Sequence, residues 1–264
     1  MSKIEKLNKL LKQMGSVLVA YSGGADSTLL LKTAADNLGQ NVLAVTAVSP
    51  AYPQEELTAA KKIAKSLGVR HRIIRTKELQ NKKFSANPPN RCYFCKKELF
   101  GELNKIARKE KINFVLDASN LTDKKDFRPG DKAKNECQVR SPLQEAGFSK
   151  GDIRQLSKKL KLVTWDKPSL ACLASRIPYG RKISLRFLQR IGQGEKFLRS
   201  LGFKQVRLRD FGYSCRIETP EKDLPGLLKQ RKAIIENLKR LGYNYVTIDL
   251  EGYRTGSLNE VIRR

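Results

Sequence analysis

The first half of this chain alternates short apolar runs rich in β-branched residues with stretches of helical periodicity, and few folds accommodate that alternation. Residues 16–21 (SVLVAY), 42–48 (VLAVTAV), 70–74 and 114–116 read as strands. Residues 26–38, 54–67 and 96–109 read as helices, the second closed by Gly68. Strands joined by helical crossovers pair in parallel. The expected fold is therefore α/β, with a doubly wound, mainly parallel sheet that binds its ligand beyond the carboxyl ends of the strands.

From Ser184 the succession changes to a helix over 184–200, strands over 204–209 and 213–218 with Gly212 in a tight turn, a helix over 221–240 and a strand over 244–249. This order predicts a smaller C-terminal α+β domain with an antiparallel sheet. The expected division is 1–170 and 171–264, within a boundary region at 165–183 around Pro168 and Pro178. No internal repeat and no low-complexity segment appears.

Directly after the first strand and directly before the first long helix of the sheet stands Tyr21-Ser22-Gly23-Gly24-Ala25-Asp26-Ser27. Two glycines let backbone N–H groups wrap a phosphate, Ser22 and Ser27 supply hydroxyls, and the helix N-terminus adds its positive dipole. A plain strand-to-helix turn capped by Asp26 or Ser27 would use the same residue types. The loop has neither the GxxxxGK[ST] of a Walker loop nor the GxGxxG of a dinucleotide fold. SGGADS resembles instead the SGGxDS signature of the PP-loop ATP pyrophosphatases, which split ATP into an adenylate and pyrophosphate. Asp117-Ala118-Ser119-Asn120-Leu121-Thr122-Asp123 is similar to the G-x-N-x-x-D segment of that superfamily, which implies that Asn120 and Asp123 face the nucleotide. A polar loop opening a helix is the alternative for that segment.

Cys92-Tyr93-Phe94-Cys95 is a CxxC, a spacing shared by zinc sites, iron–sulfur clusters and redox pairs. A Cys/His zinc set would have to reach distant cysteines, because His71 is the only histidine. Cys172 lies in WDKPSLACLASRIPYG, where Arg176 and Arg181 supply positive charge that favours a thiolate; a small buried hydrophobe is the bland alternative. Cys137 and Cys215 read as structural.

The runs NRCYFCK, SNLTDKKDFRPG, VRSPL, WDKPSLACLASRIPYG and DLEGYRTGSLNE together resemble the LarE family over nearly the full chain. These are ATP-dependent sulfur transferases of nickel-pincer nucleotide synthesis, serving the cofactor of lactate racemase. The resemblance implies a PP-loop ATP-binding domain over 1–170 and a substrate-binding domain over 171–264. It implies that ATP with Mg²⁺ adenylates the carboxylates of pyridinium-3,5-biscarboxylic acid mononucleotide, which then become thiocarboxylates. It also implies that Ser22, Gly23, Gly24, Asp26, Ser27, Asn120 and Asp123 bind the nucleotide and that Arg207 and Arg209 bind the substrate phosphate. Cys172, Ser175, Arg176 and Glu195 match its active-site positions. One form of the family sacrifices its own cysteine sulfur; another holds a [4Fe-4S] cluster on three cysteines. The presence of Cys92, Cys95 and Cys172 points to the cluster form, since three thiolates leave one iron able to carry a replaceable sulfide. A sulfide source and a homo-oligomer, as large as a hexamer, follow as expected partners.

Residues 176–209 carry ten Lys and Arg against the single acidic Glu195, as a substrate with a phosphate and two carboxylates would require. The whole chain has 53 Lys and Arg against 26 Asp and Glu, a formal charge of +27 that attracts anions without choosing among them. Thiolation of tRNA is the main competing expectation, but no added RNA-binding module appears, so nucleic acid is not the expected partner. An amidotransferase-like synthetase would need an ammonia source, and no glutaminase-like segment is evident; a non-catalytic nucleotide-binding regulator is the remaining class. The N-terminal stretch, with Ile4, Leu7, Leu10 and Leu11 at helical spacing, reads as an amphipathic helix rather than a signal peptide. No run is long enough for a bilayer span. A cytoplasmic protein with reduced thiols is expected.

Overall fold

The computed structural model describes residues 1–52, 54–125, 128–168 and 171–262. In chain order its elements are α1 (Lys3–Met14), β1 (Val17–Ala20), α2 (Ala25–Leu38), β2 (Val42–Val48), α3 (Gln54–Ser66), β3 (Arg70–Arg75), α4 (Lys82–Ser85), α5 (Arg91–Lys109), β4 (Phe114–Leu116), α6 (Gly130–Glu136), α7 (Pro142–Glu145), α8 (Lys150–Lys159), α9 (Leu185–Ser200), β5 (Arg207–Asp210), β6 (Ser214–Glu218), α10 (Leu224–Lys229), α11 (Arg231–Arg240) and β7 (Tyr245–Ile248). They form two compact units. The first holds 1–78 and 90–170; the second holds 79–89 and 171–264, so the segment 79–89 packs with residues far behind it in the chain.

In the first unit the strands run β3-β2-β1-β4, every pair parallel, as the alternation predicts. Alternate side chains of β1 serve opposite faces. Val17 and Val19 join Leu7, Leu11, Leu29, Leu30, Ala60 and Ile153 on one face, and Leu18 joins Leu43, Phe100, Leu103 and Val115 on the other. Helices therefore cover both sides, the doubly wound arrangement. The first helix is started by a reciprocal capping box, in which Ser2 and Glu5 satisfy each other's backbone N–H groups. Because β1 to β3 step one way and β4 lies on the other side of β1, the strand order reverses between β1 and β4. The loops after those two strands flank the crevice at which such sheets bind ligands.

In the second unit β5, β6 and β7 make a three-stranded sheet. Leu208, Cys215 and Ile217 on one face pack with Leu198, Leu227, Ile234 and Leu238 from α9, α10 and α11. The expected antiparallel sheet is only half right. β5 and β6 are antiparallel across the Gly212 turn, but β6 and β7 are parallel, because a helical crossover intervenes between them. The helix expected over 221–240 is three pieces: a 3-10 turn over 221–223, then α10 and α11 separated at Gln230. The helix expected to start at Lys96 begins at Arg91, which places the whole CxxC inside its first turns.

Candidate functional site

The first group of site residues gathers at the switch point. Gly23 adopts φ +69°, and a Cβ there would lie 2.9 Å from the Ala60 Cβ of α3, so both backbone conformation and space require glycine. Ser22 and Ser27 brace the turn across it. Their hydroxyls lie 3.0 Å apart, the Ser27 Oγ accepts from the Ser22 N–H at 3.3 Å, and the Ser27 hydroxyl donates to the Gly24 carbonyl at 3.2 Å. Gly24 is the N-cap of α2 and makes no side-chain cap, so the first turn of this 14-residue helix is not closed by its own cap side chain. A helix terminus in that state is an anion site.

Two further residues fix the carbonyls of this loop. The Tyr52 hydroxyl donates to the Ser22 carbonyl at 2.9 Å and the Lys167 ammonium donates to the Gly23 carbonyl at 2.9 Å. Lys167 is also paired with Glu56 at 2.5 Å. With its carbonyls held by donors and the Ser22 and Gly24 N–H groups turned onto the Ser27 and Ser22 hydroxyls, the loop is fixed in shape. None of Tyr52, Glu56 or Lys167 was singled out by sequence reasoning. Lys167 stands at the head of the KPSLAC run, and that was the only available signal.

From β4 the chain brings Asn120 and Asp123 to the same place. The Asn120 side-chain amide donates to Asp26 at 3.4 Å and its backbone N–H donates to Asp123 at 3.0 Å. Lys150, also missed, donates to Asp26 at 2.6 Å, and Arg128 donates to Asp123 at 2.6 Å. Burial raises the Asp123 carboxyl above the ordinary Asp range, and the charge of Asp26 adds to that rise against the opposing Asn120 hydrogen bond and Arg128. Two carboxylates with an amide oxygen nearby are the hard donors that Mg²⁺ takes when phosphates complete its shell. Residues 126 and 127 of the SNLTDKKDFRPG run lie outside the described residues.

The second group gathers in the second unit. Cys172 is exposed and leads into a 3-10 turn over Leu173–Arg176. Its carbonyl accepts from the Ser175 N–H at 2.9 Å, the Ser175 hydroxyl at 2.7 Å and the Arg176 Nη1 at 3.2 Å. Arg176 and Glu195 are each 1% exposed and form a two-pronged pair, Nε to Oε1 at 2.7 Å and Nη2 to Oε2 at 3.0 Å. Burial would raise the Glu195 carboxyl, but the charge and hydrogen bonds of Arg176 outweigh it and hold the carboxyl below its ordinary value. The Leu208 N–H also donates to Glu195 at 3.1 Å, which ties the pair to β5. Glu195 thus positions Arg176, and Arg176 holds the Cys172 carbonyl.

Arg207 and Arg209 are buried rather than exposed on their strand. Arg209 is bound by Glu218 through two hydrogen bonds of 2.8 and 2.9 Å, and it donates to the Ser175 carbonyl at 2.6 Å and the Ser257 hydroxyl at 2.7 Å. The Arg207 guanidinium lies over the Tyr253 ring at 5.4 Å. Burial, followed by the neighbouring positive charge of Arg176, draws its pKa down to about 10 against the opposing charge of Glu195.

Cys92 and Cys95 sit three residues apart in the opening turns of α5, a spacing that puts both on one helix face. Cys92 is exposed and Cys95 half-buried. Cys215 is 0% exposed in the core of the second unit, and burial raises its thiol to about 12, as suits a structural residue. Cys137 is half-buried, with its carbonyl accepting from Asn104 at 2.9 Å. Among the described residues no helix is long and apolar enough to cross a membrane.

A glycine loop at the switch point of a parallel sheet, with Asn120 and Asp123 brought beside it, is the arrangement of an enzyme of the PP-loop type. In agreement, the family model "Queuosine biosynthesis protein QueC" matches residues 16–91, which include the cradle. Among curated proteins, "Pyridinium-3,5-bisthiocarboxylic acid mononucleotide synthase" of Lactiplantibacillus plantarum is 39% identical over 96% of this chain and 92% of its own. An uncharacterised protein of Synechocystis, slr1717, is 44% identical over 100% of this chain and 99% of its own, and MJ0830 of Methanocaldococcus jannaschii, also uncharacterised, is 32% identical over 97% and 98%. The chain belongs to the family of the bisthiocarboxylic acid mononucleotide synthase, the LarE group of ATP-dependent sulfurtransferases.

Proposed function

We propose that this enzyme converts the carboxylates of pyridinium-3,5-biscarboxylic acid mononucleotide to thiocarboxylates, for the nickel-pincer cofactor of lactate racemase. What carries the reading is an ATP-type phosphate cradle in a chain that aligns nearly end to end with the named synthase. In the first step a substrate carboxylate oxygen attacks the α-phosphorus of ATP and pyrophosphate leaves. The cradle of Ser22, Gly23, Gly24 and Ser27 would hold the pyrophosphate end, and Asp26, Asn120 and Asp123 would hold the Mg²⁺ that neutralises its charge. In the second step sulfide attacks the acyl carbon and AMP leaves, and the second carboxylate repeats the cycle. Arg207 receives the substrate phosphate, with Arg209 beside it on the same strand.

Cys92, Cys95 and Cys172 are the residues that would hold a [4Fe-4S] cluster. Two thiols on one helix face and an exposed third on a braced loop are the ligand type such a cluster takes, although among the described residues no three His, Cys, Asp or Glu side chains are gathered as a metal site. When bound, such a cluster supplies a site for a transferable sulfide from an external source. In this reading Ser175, Arg176 and Glu195 orient Cys172. The enzyme works in the cytoplasm as a homo-oligomer.

The test is anaerobic reconstitution with iron and sulfide, followed by the visible spectrum and iron content of the wild type and of Cys92→Ala. Expected is a broad absorption of a thiolate-ligated cluster with about four irons per chain, lost in the variant. A wild type that takes up no iron would leave Cys172 as a sacrificial sulfur donor, which its exposure also permits.

A further inference from the structure

Asn87 does something in the second unit that the proposed chemistry does not yet use. It is 0% exposed and adopts φ +58° directly before Pro88, a combination disfavoured twice, by the left-handed region and by the following proline. Such a conformation persists only where its surroundings over-determine it. Here they do. The side-chain amide donates to the carbonyls of Ile177 at 3.2 Å, Pro178 at 2.7 Å and Arg181 at 3.0 Å. The reversed amide would set Oδ1 against three carbonyl oxygens, so the orientation is fixed by chemistry. The Asn87 carbonyl accepts from the Gly180 N–H at 2.9 Å, and the Ser85 carbonyl accepts from the Ile183 N–H at 2.7 Å. The buried Oδ1 has no hydrogen-bond partner among the described residues, so the residue is kept at the expense of one unsatisfied acceptor.

The held segment, 177–183, is the direct continuation of the turn that follows Cys172. That turn is fastened on its N-terminal side by Arg176, which donates to the carbonyls of Ala171 and Cys172 and to the Ser175 hydroxyl. On its C-terminal side Asn87, ninety residues away in sequence from Ile177, holds three of its backbone carbonyls, while the Tyr179 and Arg181 side chains reach Asn259 and Asp210.

We propose that Asn87 is a positioning residue for the sulfur chemistry: its amide fixes the far end of the Cys172 loop so that the thiol is presented in one orientation. The inference rests on the sulfur-transfer reading above for its consequence, but the clamp itself can be tested apart from it. Asn87→Gly is the informative variant, because glycine accepts φ +58° without strain and removes only the amide. Two measurements are made on the full chain. The first is amide hydrogen exchange, comparing the peptide 172–183 with the β6 peptide 214–218, which contains the core residue Cys215. Expected is an increase of about tenfold or more in 172–183 with no change in 214–218. Unchanged exchange in 172–183, or an equal rise in both peptides, would overturn the clamp and leave Asn87 as a general stability residue.

The second measurement separates the two half-reactions, substrate-dependent ATP–pyrophosphate exchange and thiocarboxylate formation. In Asn87→Gly the first should stay at the wild-type rate, and the kcat of the second should fall on the order of tenfold to a hundredfold with little change in KM. Equal losses in both half-reactions would overturn the positioning role. A wild type that makes no thiocarboxylate would sink the sulfur-transfer reading instead, and the exchange comparison would still decide the clamp.

Discussion

At Gly23 two constraints coincide, a positive φ and an approach to Ala60 that leaves no room for a methyl group. Gly23→Ala should cost about 1–3 kcal/mol in urea unfolding and raise the KM for ATP. The motif letters announced this residue. The partners of the loop carbonyls were not announced, because Tyr52, Glu56 and Lys167 reach the loop only through tertiary packing. Lys167→Ala removes a charge-assisted hydrogen bond, a kind worth about 1.5–3 kcal/mol, so the KM for ATP should rise on the order of tenfold; a KM within twofold of wild type would remove Lys167 from the phosphate site. Glu195 makes the converse point. Its letters suggested chemistry, and its burial with Arg176 shows a brace. Glu195→Gln leaves Arg176 without its counter-charge and should destabilise the second unit by about 3–5 kcal/mol. The folded-state carboxyl titrates below the ordinary Glu value of 4.5, so its ionised form stabilises the unit at neutral pH. That contribution is fully present above pH 4.5 and is lost as pH falls from there towards the folded-state value. Acid unfolding of Glu195→Gln should accordingly show a weaker dependence on pH below 4.5 than the wild type does.

The elements of the first unit were legible because periodicity and crossover length suffice to specify a parallel sheet; β2 runs over the very residues, Val42–Val48, that the apolar run marks. The second unit was less legible. Parallel pairing of β6 with β7 follows from the crossover between them, yet two short strands around Gly212 suggest an antiparallel sheet. The helical periodicity is legible only from residue 96, because Asn90-Arg91-Cys92 carries no apolar repeat, whereas the structure starts α5 at Arg91. One contact between elements is tight enough to predict from. A Cβ on Gly194 of α9 would lie 2.4 Å from the Leu208 side chain of β5 and 3.1 Å from that of Leu238 in α11. Gly194→Ala therefore overpacks this core, and a loss of about 1–3 kcal/mol is expected by urea denaturation in spite of the better helix propensity of alanine. A gain in stability would show that α9 can slide on the sheet.

Over the whole molecule the excess of cations, +27 in formal charge, is compatible with both a phosphorylated small substrate and RNA. Arg176, Arg190 and Arg209 are paired with the buried carboxylates Glu195, Asp210 and Glu218, charges already cancelled in that net figure, so the excess rests on the other cations. If the acceptor is the small mononucleotide, bulk tRNA should bind only weakly in a gel shift and be released by moderate salt; tight retention would favour tRNA thiolation. The most direct test of the proposed activity is anaerobic incubation of the iron-loaded protein with ATP, Mg²⁺, sulfide and pyridinium-3,5-biscarboxylic acid mononucleotide, with products read by mass spectrometry. Expected are the mono- and then the bisthiocarboxylate, each sulfur accompanied by one AMP and one pyrophosphate. Consumption of ATP to AMP without any exchange of oxygen for sulfur in the substrate would contradict sulfur transfer to this acceptor.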